Sequence, residues 1–250
     1  MAKVIIFGAS SAIAAKCAEL YALRGDELCL VGRSRDKLEA VAKDAARAGS
    51  SDRVRTFTAD LDRLEENGSL VERVIEACGG ADEALIAHGL LGDQLQSERD
   101  FTEAERIIRT NFTSAISLII PIANYFEQQR SGRLGVITSV AGERGRPRNY
   151  TYGACKGALG IYLQGVRSRL YPAGVTVTTI KLGPVDTPMT ATHEKNALFG
   201  RPDGVARDIV SAMLARKAEV FVPRRWAAIM PIVRNTPEPL FQRIKALSGR

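Results

Sequence analysis

The 250-residue chain carries little with which to bind a metal or cross-link itself. Its two histidines, His88 and His193, have no ligand-like neighbours, so no zinc site is expected. Cys17, Cys29, Cys78 and Cys155 are scattered with no Cys-x-x-Cys pair. Free thiols in a reducing cytoplasm are the expectation. No apolar run reaches the ~18 residues that a membrane-spanning helix needs. The opening MAKVIIFGAS has a short apolar run and enters a glycine turn directly, which argues against a signal peptide. No repeat, low-complexity tract or linker divides the chain.

What is present is a regular alternation. Strand-like runs at Lys3–Gly8, Glu27–Val31, Arg53–Thr58, Ala84–Ala87, Leu134–Ser139, Val175–Leu182 and Ala218–Val222 are separated by helix-like patterns. The helices are expected at Ala12–Leu23, Asp36–Ala48, Gly68–Ala77, Glu103–Arg130 with a break near Pro121, Tyr150–Tyr171 and Pro202–Arg216. Short apolar strands alternating with helices predict an α/β domain, a parallel sheet covered on both faces. A chain of this length can bury one large core of that kind.

The stretch NYTYGACKGALG is the most informative. Tyr152 and Lys156 lie four residues apart, one helical turn, on one face. An ammonium beside a phenol favours the phenolate and lowers its pKa from about 10 toward neutrality, which suits a general acid or base. Ser139 ends an apolar strand upstream, where its hydroxyl can meet a substrate oxygen beside the phenol. Two surface neighbours on one helix are the competing reading. The first strand runs into Gly8-Ala9-Ser10-Ser11-Ala12-Ile13-Ala14. A strand, a small-residue turn and a helix form the place where a dinucleotide pyrophosphate meets backbone N–H groups. A plain strand-to-helix connection is the alternative.

GASSAIA, Asn111, Ser139, Tyr152, Lys156 and LGPVDTPM, in this order and spacing, resemble the short-chain dehydrogenase/reductase family over about Lys3 to Pro223. The resemblance implies a single Rossmann-type domain, a doubly wound parallel sheet of about seven strands that binds NAD or NADP. It implies that Ser139 polarises a carbonyl and that Tyr152 protonates the developing alkoxide. Lys156 would tune Tyr152 and hold the nicotinamide ribose, and Asn111 would hold a water of the proton relay. Gly8, Ser10, Ser11 and Ile13 would line the cofactor, with Asp60 and Leu61 at the adenine. Ala87, His88 and Gly89 would follow, and Gly183, Pro184, Val185 and Thr187 would fix the carboxamide. The family pairs subunits through helices corresponding to Thr102–Arg130 and Tyr150–Tyr171, so a homo-oligomer is implied.

The chain departs from the family in two places. Ala12 and Ala14 replace later glycines of the first turn, where a methyl displaces the helix or crowds the phosphates. Ile86-Ala87-His88-Gly89 replaces an Asn-Asn-Ala-Gly segment. His88 is then either a cofactor contact, to ribose or phosphate, or a structural residue satisfied within the protein. Val31-Gly32-Arg33-Ser34-Arg35 carries no carboxylate at the end of the second strand. Arg33, assisted by Arg35 or Ser34, suits a 2′-phosphate, which favours NADP over NAD, although both arginines also suit the start of a solvated helix. Asp60 has the alternative of an ordinary cap.

AHGLLGDQ, SVAGERGRPRNYTYGACKGAL and VFVPRRWAAIMPIVRNTP resemble a narrower group, the keto-reductases of polyprenylphosphoryl-ribose 2-epimerase systems. That resemblance implies a keto-sugar on a lipid phosphate. Arg144, Arg146 and Arg148 follow Ser139 and either receive such an anion or belong to a solvated loop.

Residues 224–250 form a basic amphipathic tail after a domain spanning 1–223. Arg224, Arg225, Arg234, Arg243, Lys245 and Arg250 against the single acid Glu238 supply most of the chain's net charge of +7. The charge is therefore local, which argues against nucleic acid as a partner. Trp226 and Ile229 among these charges suit a membrane interface. Docking of the tail on the domain or on a second subunit is the alternative. The expectation is a cytoplasmic NADP(H)-dependent oxidoreductase acting on a ketone or secondary alcohol, with peripheral contact at the inner face of the membrane. A reductase of a soluble small ketone and a non-catalytic NADP redox sensor are the other readings. The intact Asn111, Ser139, Tyr152 and Lys156 set argues against the sensor.

Overall fold

The computed structural model describes residues 1–49, 53–192 and 194–245. His193 and Arg250, named above, lie outside the described residues. Seven strands, β1 (Lys3–Phe7), β2 (Glu27–Gly32), β3 (Val54–Thr58), β4 (Glu83–Ile86), β5 (Arg133–Ser139), β6 (Thr176–Leu182) and β7 (Glu219–Val222), form one sheet. Its order is β3-β2-β1-β4-β5-β6-β7, and every pairing is parallel. The Rossmann-type arrangement expected from the sequence is the one observed.

Helices α1 (Ala12–Leu23), α2 (Arg35–Ala48) and α8 (Pro202–Leu214) cover one face. Helices α3 (Asn67–Ala77), α6 (Ser114–Gln129) and α7 (Tyr150–Leu170) cover the other. The strands alternate accordingly. Val4 and Ile6 pack with Tyr21 and Ile209, whereas Ile5 and Phe7 pack with Leu118 and Val74. Both faces are dry, which is why the inner strands read as continuous apolar runs. Ala14 is fully buried in this packing, so the missing glycine there serves the core.

Two expectations about local structure change. The Glu103–Arg130 pattern is two helices, α5 (Phe101–Ile108) and α6, after the short α4 (Gln94–Ser97). Their junction is a π-helical turn at Arg109–Thr113, not a break at Pro121. Burial of Leu118, Ile119 and Ile122 around Pro121 holds α6 together across the hydrogen bond that proline cannot donate. Cys29 and Cys78, expected as free thiols, are joined as a disulfide with Cα atoms 6.6 Å apart. Folding brings the second strand beside the end of α3.

The described part of the tail forms α9 (Trp226–Asn235) and α10 (Glu238–Arg243). Trp226, Met230, Val233 and Phe241 close over Val140 in an apolar cluster of their own. Trp226, expected at a membrane interface, is buried against the domain, and Ile229 packs half-buried beside it. Basic residues mark the tail as a charge boundary, but Trp226, Met230, Val233 and Phe241 of its apolar side chains are spent on the protein. Removing a buried Trp side chain costs about 3–5 kcal/mol. Trp226→Ala is expected to lower unfolding stability by that order in urea titrations, and a chain ending at Pro223 to melt well below the full chain. Wild-type stability in both would mean that the tail merely lies on the surface.

Candidate active site

The strand order reverses direction between β1 and β4, and the crevice lies at their carboxyl ends. Gly8 turns the chain there with φ of +76°. A Cβ at Gly8 would fall 2.6 Å from the His88 backbone nitrogen, so only glycine lets the two strand ends approach. Ser11 caps α1, accepting from the Ala14 N–H at 3.2 Å, and keeps its own proton to donate.

The cleft that opens there has a volume of about 400 Å³. Gly8, Ser10, Ser11 and Arg33 line one side and Asp60, Leu61, Ala87, His88 and Gly89 the other. These residues, named from the sequence as cofactor-binding, line one cleft. Ser34, expected beside Arg33, joins it there, and the sequence reading missed Lys37, Asp62, Thr110 and Met189. Lys37 lies in the first turn of α2, four residues after Arg33, a spacing that was available in the sequence. Ile13 is not on the cleft wall; it packs half-buried against the core beneath α1.

His88 has a defined donor pattern. Ser114 Oγ lies 2.6 Å from Leu61 O, a pure acceptor, so the serine proton is committed there. The 3.0 Å contact between Ser114 Oγ and His88 Nε2 must then use the imidazole proton. His88 Nδ1 is left as an acceptor, and it is buried without a partner. Burial, helped by the Lys156 charge, pushes the ring pKa down to about 3, so it stays neutral. Asp62 Oδ1 is a second buried acceptor without a donor. Its other oxygen accepts from Thr110 at 2.8 Å. Asp60 accepts from the Asp62 N–H at 3.2 Å, closing a local turn, and caps no helix, while also lining the cleft.

A dinucleotide fits this distribution. Donors and cations at Ser10, Ser11, Arg33 and Lys37 suit phosphates, whereas acceptors at Asp60, Asp62 and His88 suit hydroxyl and amine groups.

Beyond Gly89 lie the proton-transfer candidates. A methyl at Gly89 would sit 3.0 Å from Asn111 Oδ1 and 3.3 Å from Lys156 Nζ, so both groups converge on this point. Asn111 is buried in the π-helical turn. It donates to Leu90 O at 2.6 Å and Ile107 O at 2.9 Å, and accepts from the Leu90 N–H at 3.1 Å. Its side chain thereby fixes the chain after β4. Ser139 Oγ donates to Leu182 O at 3.2 Å and accepts from the Ala141 N–H at 3.1 Å.

The electrostatics of Tyr152 differ from expectation. Tyr152 is half-buried, which partly withdraws it from water. That desolvation pushes its pKa up to about 12, against a smaller lowering by the hydrogen-bonding Ser139 hydroxyl. Lys156 does not draw the phenol toward neutrality here. Its Nζ donates to Ile137 O at 3.2 Å and stands 5.8 Å from the Tyr152 ring centroid. Burial pushes Lys156 itself down to about 8.

The Gly183–Thr187 turn follows β6. A Cβ at Gly183 would overlap the Trp226 indole, 2.0 Å from Nε1, so the absent side chain makes room for the tail. Val185 is buried and bridges Gly200, and Thr190 Oγ1 donates to Val185 O at 2.5 Å. Thr187 begins the 3₁₀ turn Pro188–Thr190, which carries Met189 to the cleft.

A Rossmann-type sheet with a nucleotide-sized cleft and a Ser-Tyr-Lys-Asn group at its end defines a class of oxidoreductase, and sequence comparison places the chain within it. The family model described as short chain dehydrogenase matches residues 2–198. The chain belongs to that family. It is 31% identical over 243 residues to an uncharacterized oxidoreductase of Mycobacterium tuberculosis strain H37Rv, covering 97% of each chain. An uncharacterized oxidoreductase of Streptomyces coelicolor is also 31% identical, over 96% of this chain and 95% of its own. The crystal structure of levodione reductase superposes with a TM-score of 0.82 at 20% identity, covering 91% of this chain and 98% of that one. At that identity the likeness speaks for the fold alone.

The depressed Lys156 pKa carries a stability consequence. Between about 8 and the ordinary 10.5 the unfolded chain holds a proton that the folded one has released, so stability rises with pH across that window. Below it the full penalty of the buried charge is present. Lys156→Met should therefore be more stable than wild type at pH 7, by about 2–3 kcal/mol from the size of the shift. Urea midpoints measured from pH 6.5 to above 10.5 should show this advantage shrinking to nothing. A pH-independent difference would place the Lys156 pKa elsewhere.

Proposed function

We propose that the protein is an NADP(H)-dependent oxidoreductase that interconverts a ketone and a secondary alcohol. One observation carries this reading: buried Lys156 stands 5.8 Å from the Tyr152 ring and converges with Asn111 on Gly89, the residue that ends a cleft with phosphate-binding groups. The bound nicotinamide supplies the hydride. Ser139 orients and polarises the substrate carbonyl. Tyr152, whose raised pKa keeps it protonated, gives its proton to the developing alkoxide. This protonation state favours the reductive direction. Lys156 is near its titration midpoint around pH 8 and is suited to hand on a proton, and Asn111 holds the segment on which the relay depends.

NADP is preferred over NAD in this reading because Arg33, Ser34 and Lys37 stand together at the end of β2 with no carboxylate among them. A phosphorylated keto-sugar, on a lipid carrier, is the favoured substrate. Arg146 supports it: its Nε is buried without a partner between Ser139 and Tyr152 in the chain. Arg148 is exposed two residues on. Such an enzyme would work in the cytoplasm at a membrane surface, as a homo-oligomer. Among the described residues no helix is long and apolar enough to cross a membrane. Ile232 and Leu240 remain exposed on the tail for surface contact.

A panel of a neutral cyclic ketone, a free keto-sugar and a keto-sugar phosphate, each with NADPH, tests the reading. Fastest reduction of the phosphate ester is expected, and Arg146→Ala should remove that preference while sparing the neutral ketone. Tyr152→Phe should lower turnover at least about 100-fold, the low end of what general acid catalysis contributes, with NADPH still bound. Near-normal turnover would sink the mechanism.

Cofactor choice is tested by titration, with energy transfer from the single Trp226 as the signal. Arg33→Ala should weaken NADPH about tenfold or more, and Lys37→Ala less, as expected for lost hydrogen bonds to a charged group, with NADH nearly unchanged. Equal losses for both nucleotides would show that neither residue reads the 2′-phosphate.

A further inference from the structure

The C-terminal segment meets the chain directly after both strands that frame the candidate catalytic serine. After β6, Trp226 fills the space beside Gly183. After β5, the contacts are denser. Arg144 Nη1 donates to Val233 O at 2.7 Å and to Thr236 O at 2.5 Å, and Nη2 donates to Glu238 at 2.6 Å. Its guanidinium carbon stands 3.7 Å from the Phe241 ring centroid. Val233 O and Thr236 O lie at the end of α9, where helix carbonyls are left without partners and a cation is favoured. One planar fork thus ties α9 to α10 and both to the turn after Ser139.

The neighbouring residues repeat the pattern. Glu143 receives Lys181 of β6 at 2.7 Å and Arg234 of α9 at 3.3 Å. Val140 is packed under Trp226, Met230, Val233 and Phe241. Ser139 itself has its hydrogen bonds with Leu182 O and the Ala141 N–H, not with the described part of the tail. Its hydroxyl is aimed by the Ala141 N–H, which lies inside the stretch that the tail holds. An arginine in a solvated loop, the ordinary alternative, would have none of these partners. An arginine reserved for a substrate anion would not have its donors committed to helix carbonyls and a carboxylate.

We infer that Arg144 is a positioning residue: by anchoring Val140–Arg144 to the C-terminal segment, it sets the direction of the Ser139 hydroxyl. The inference rests on the role given to Ser139 above. It also gives the tail a part in the active site instead of a role as a separate basic appendage.

Two readouts test it, one of which needs no substrate. In amide exchange on the free protein, Arg144→Ala should speed exchange at Ala141 about tenfold or more, as local opening energies fall, and leave β1 and α1 unchanged. With the best ketone of the panel and NADPH, Arg144→Ala should cut kcat about tenfold or more while NADPH binding stays within about twofold. In a Ser139→Ala background the same substitution should cost little, because the group it aims is gone. Arg144→Lys should not restore turnover, since one ammonium cannot span both carbonyls and Glu238 in the same geometry. Glu238→Ala removes an exposed ion pair and an exposed contact with Gln242 and should be mild. If Arg144→Ala fails to fold, Arg144→Gln takes its place in both measurements.

Unchanged exchange at Ala141 would overturn the inference, as would equal fold-losses with and without the Ser139 hydroxyl. Full turnover in Ser139→Ala alone is a different failure. It would overturn the catalytic reading of Ser139, and this inference with it, even where the exchange data report an intact anchor.

Discussion

The site depends on the parting of two chain segments at the ends of β1 and β4. These strands are hydrogen-bonded neighbours, yet α1 leaves β1 on one face of the sheet and α6 follows β4 on the other. The backbones must separate just beyond the last shared hydrogen bonds, and a crevice opens between them. Gly8 is the residue that makes this geometry accessible, through its positive φ and its close approach to His88. Everything that lines the cleft is carried there on strand ends and short turns, supported by a sheet that is dry on both faces.

Enclosure then governs the chemistry. The packing that holds Tyr152 and Lys156 also withdraws them from water, and desolvation penalises whichever form is charged. The phenol moves up and the amine moves down, so both groups lean toward neutrality. His88 is held neutral by the same cause. A site of this kind offers protons and acceptors more readily than fixed charges. Its charged side chains, Arg33, Lys37, Arg106, Asp60 and Asp62, line the nucleotide-sized cleft instead.

The loop after Ser139 shows how tertiary contacts reassign residues that look alike in sequence. Arg144 and Arg146 are two positions apart in one basic run. Arg144 is committed to helix-end carbonyls and Glu238, whereas Arg146 keeps a buried Nε without a partner. Glu143, which would have balanced the run, turns instead to Lys181 and Arg234. A charge count over the loop cannot separate these fates, because each is decided by what arrives from far along the chain.

The sequence by itself determined the strands and helices, since apolar runs broken by turns have one stable use in a chain of this size. The Gly8 turn was legible in the same local pattern, whereas the Ser139, Tyr152 and Lys156 group was legible through the family resemblance, since spacing alone left two surface neighbours on a helix as an alternative. Lys37 was within reach of the same local reading. The π-helical turn at Asn111 was not, because its cause is a hydrogen bond to Leu90, which the fold brings in from the end of β4. The upward shift of the Tyr152 pKa was also out of reach, since desolvation depends on how closely packed a group becomes and not on the residue four places away. The tail was decided the same way. Its residues suit a membrane and a protein surface equally well, and only the tertiary structure, by presenting Val140, Gly183 and Arg144 as a complementary face, settles where Trp226 and Phe241 are buried.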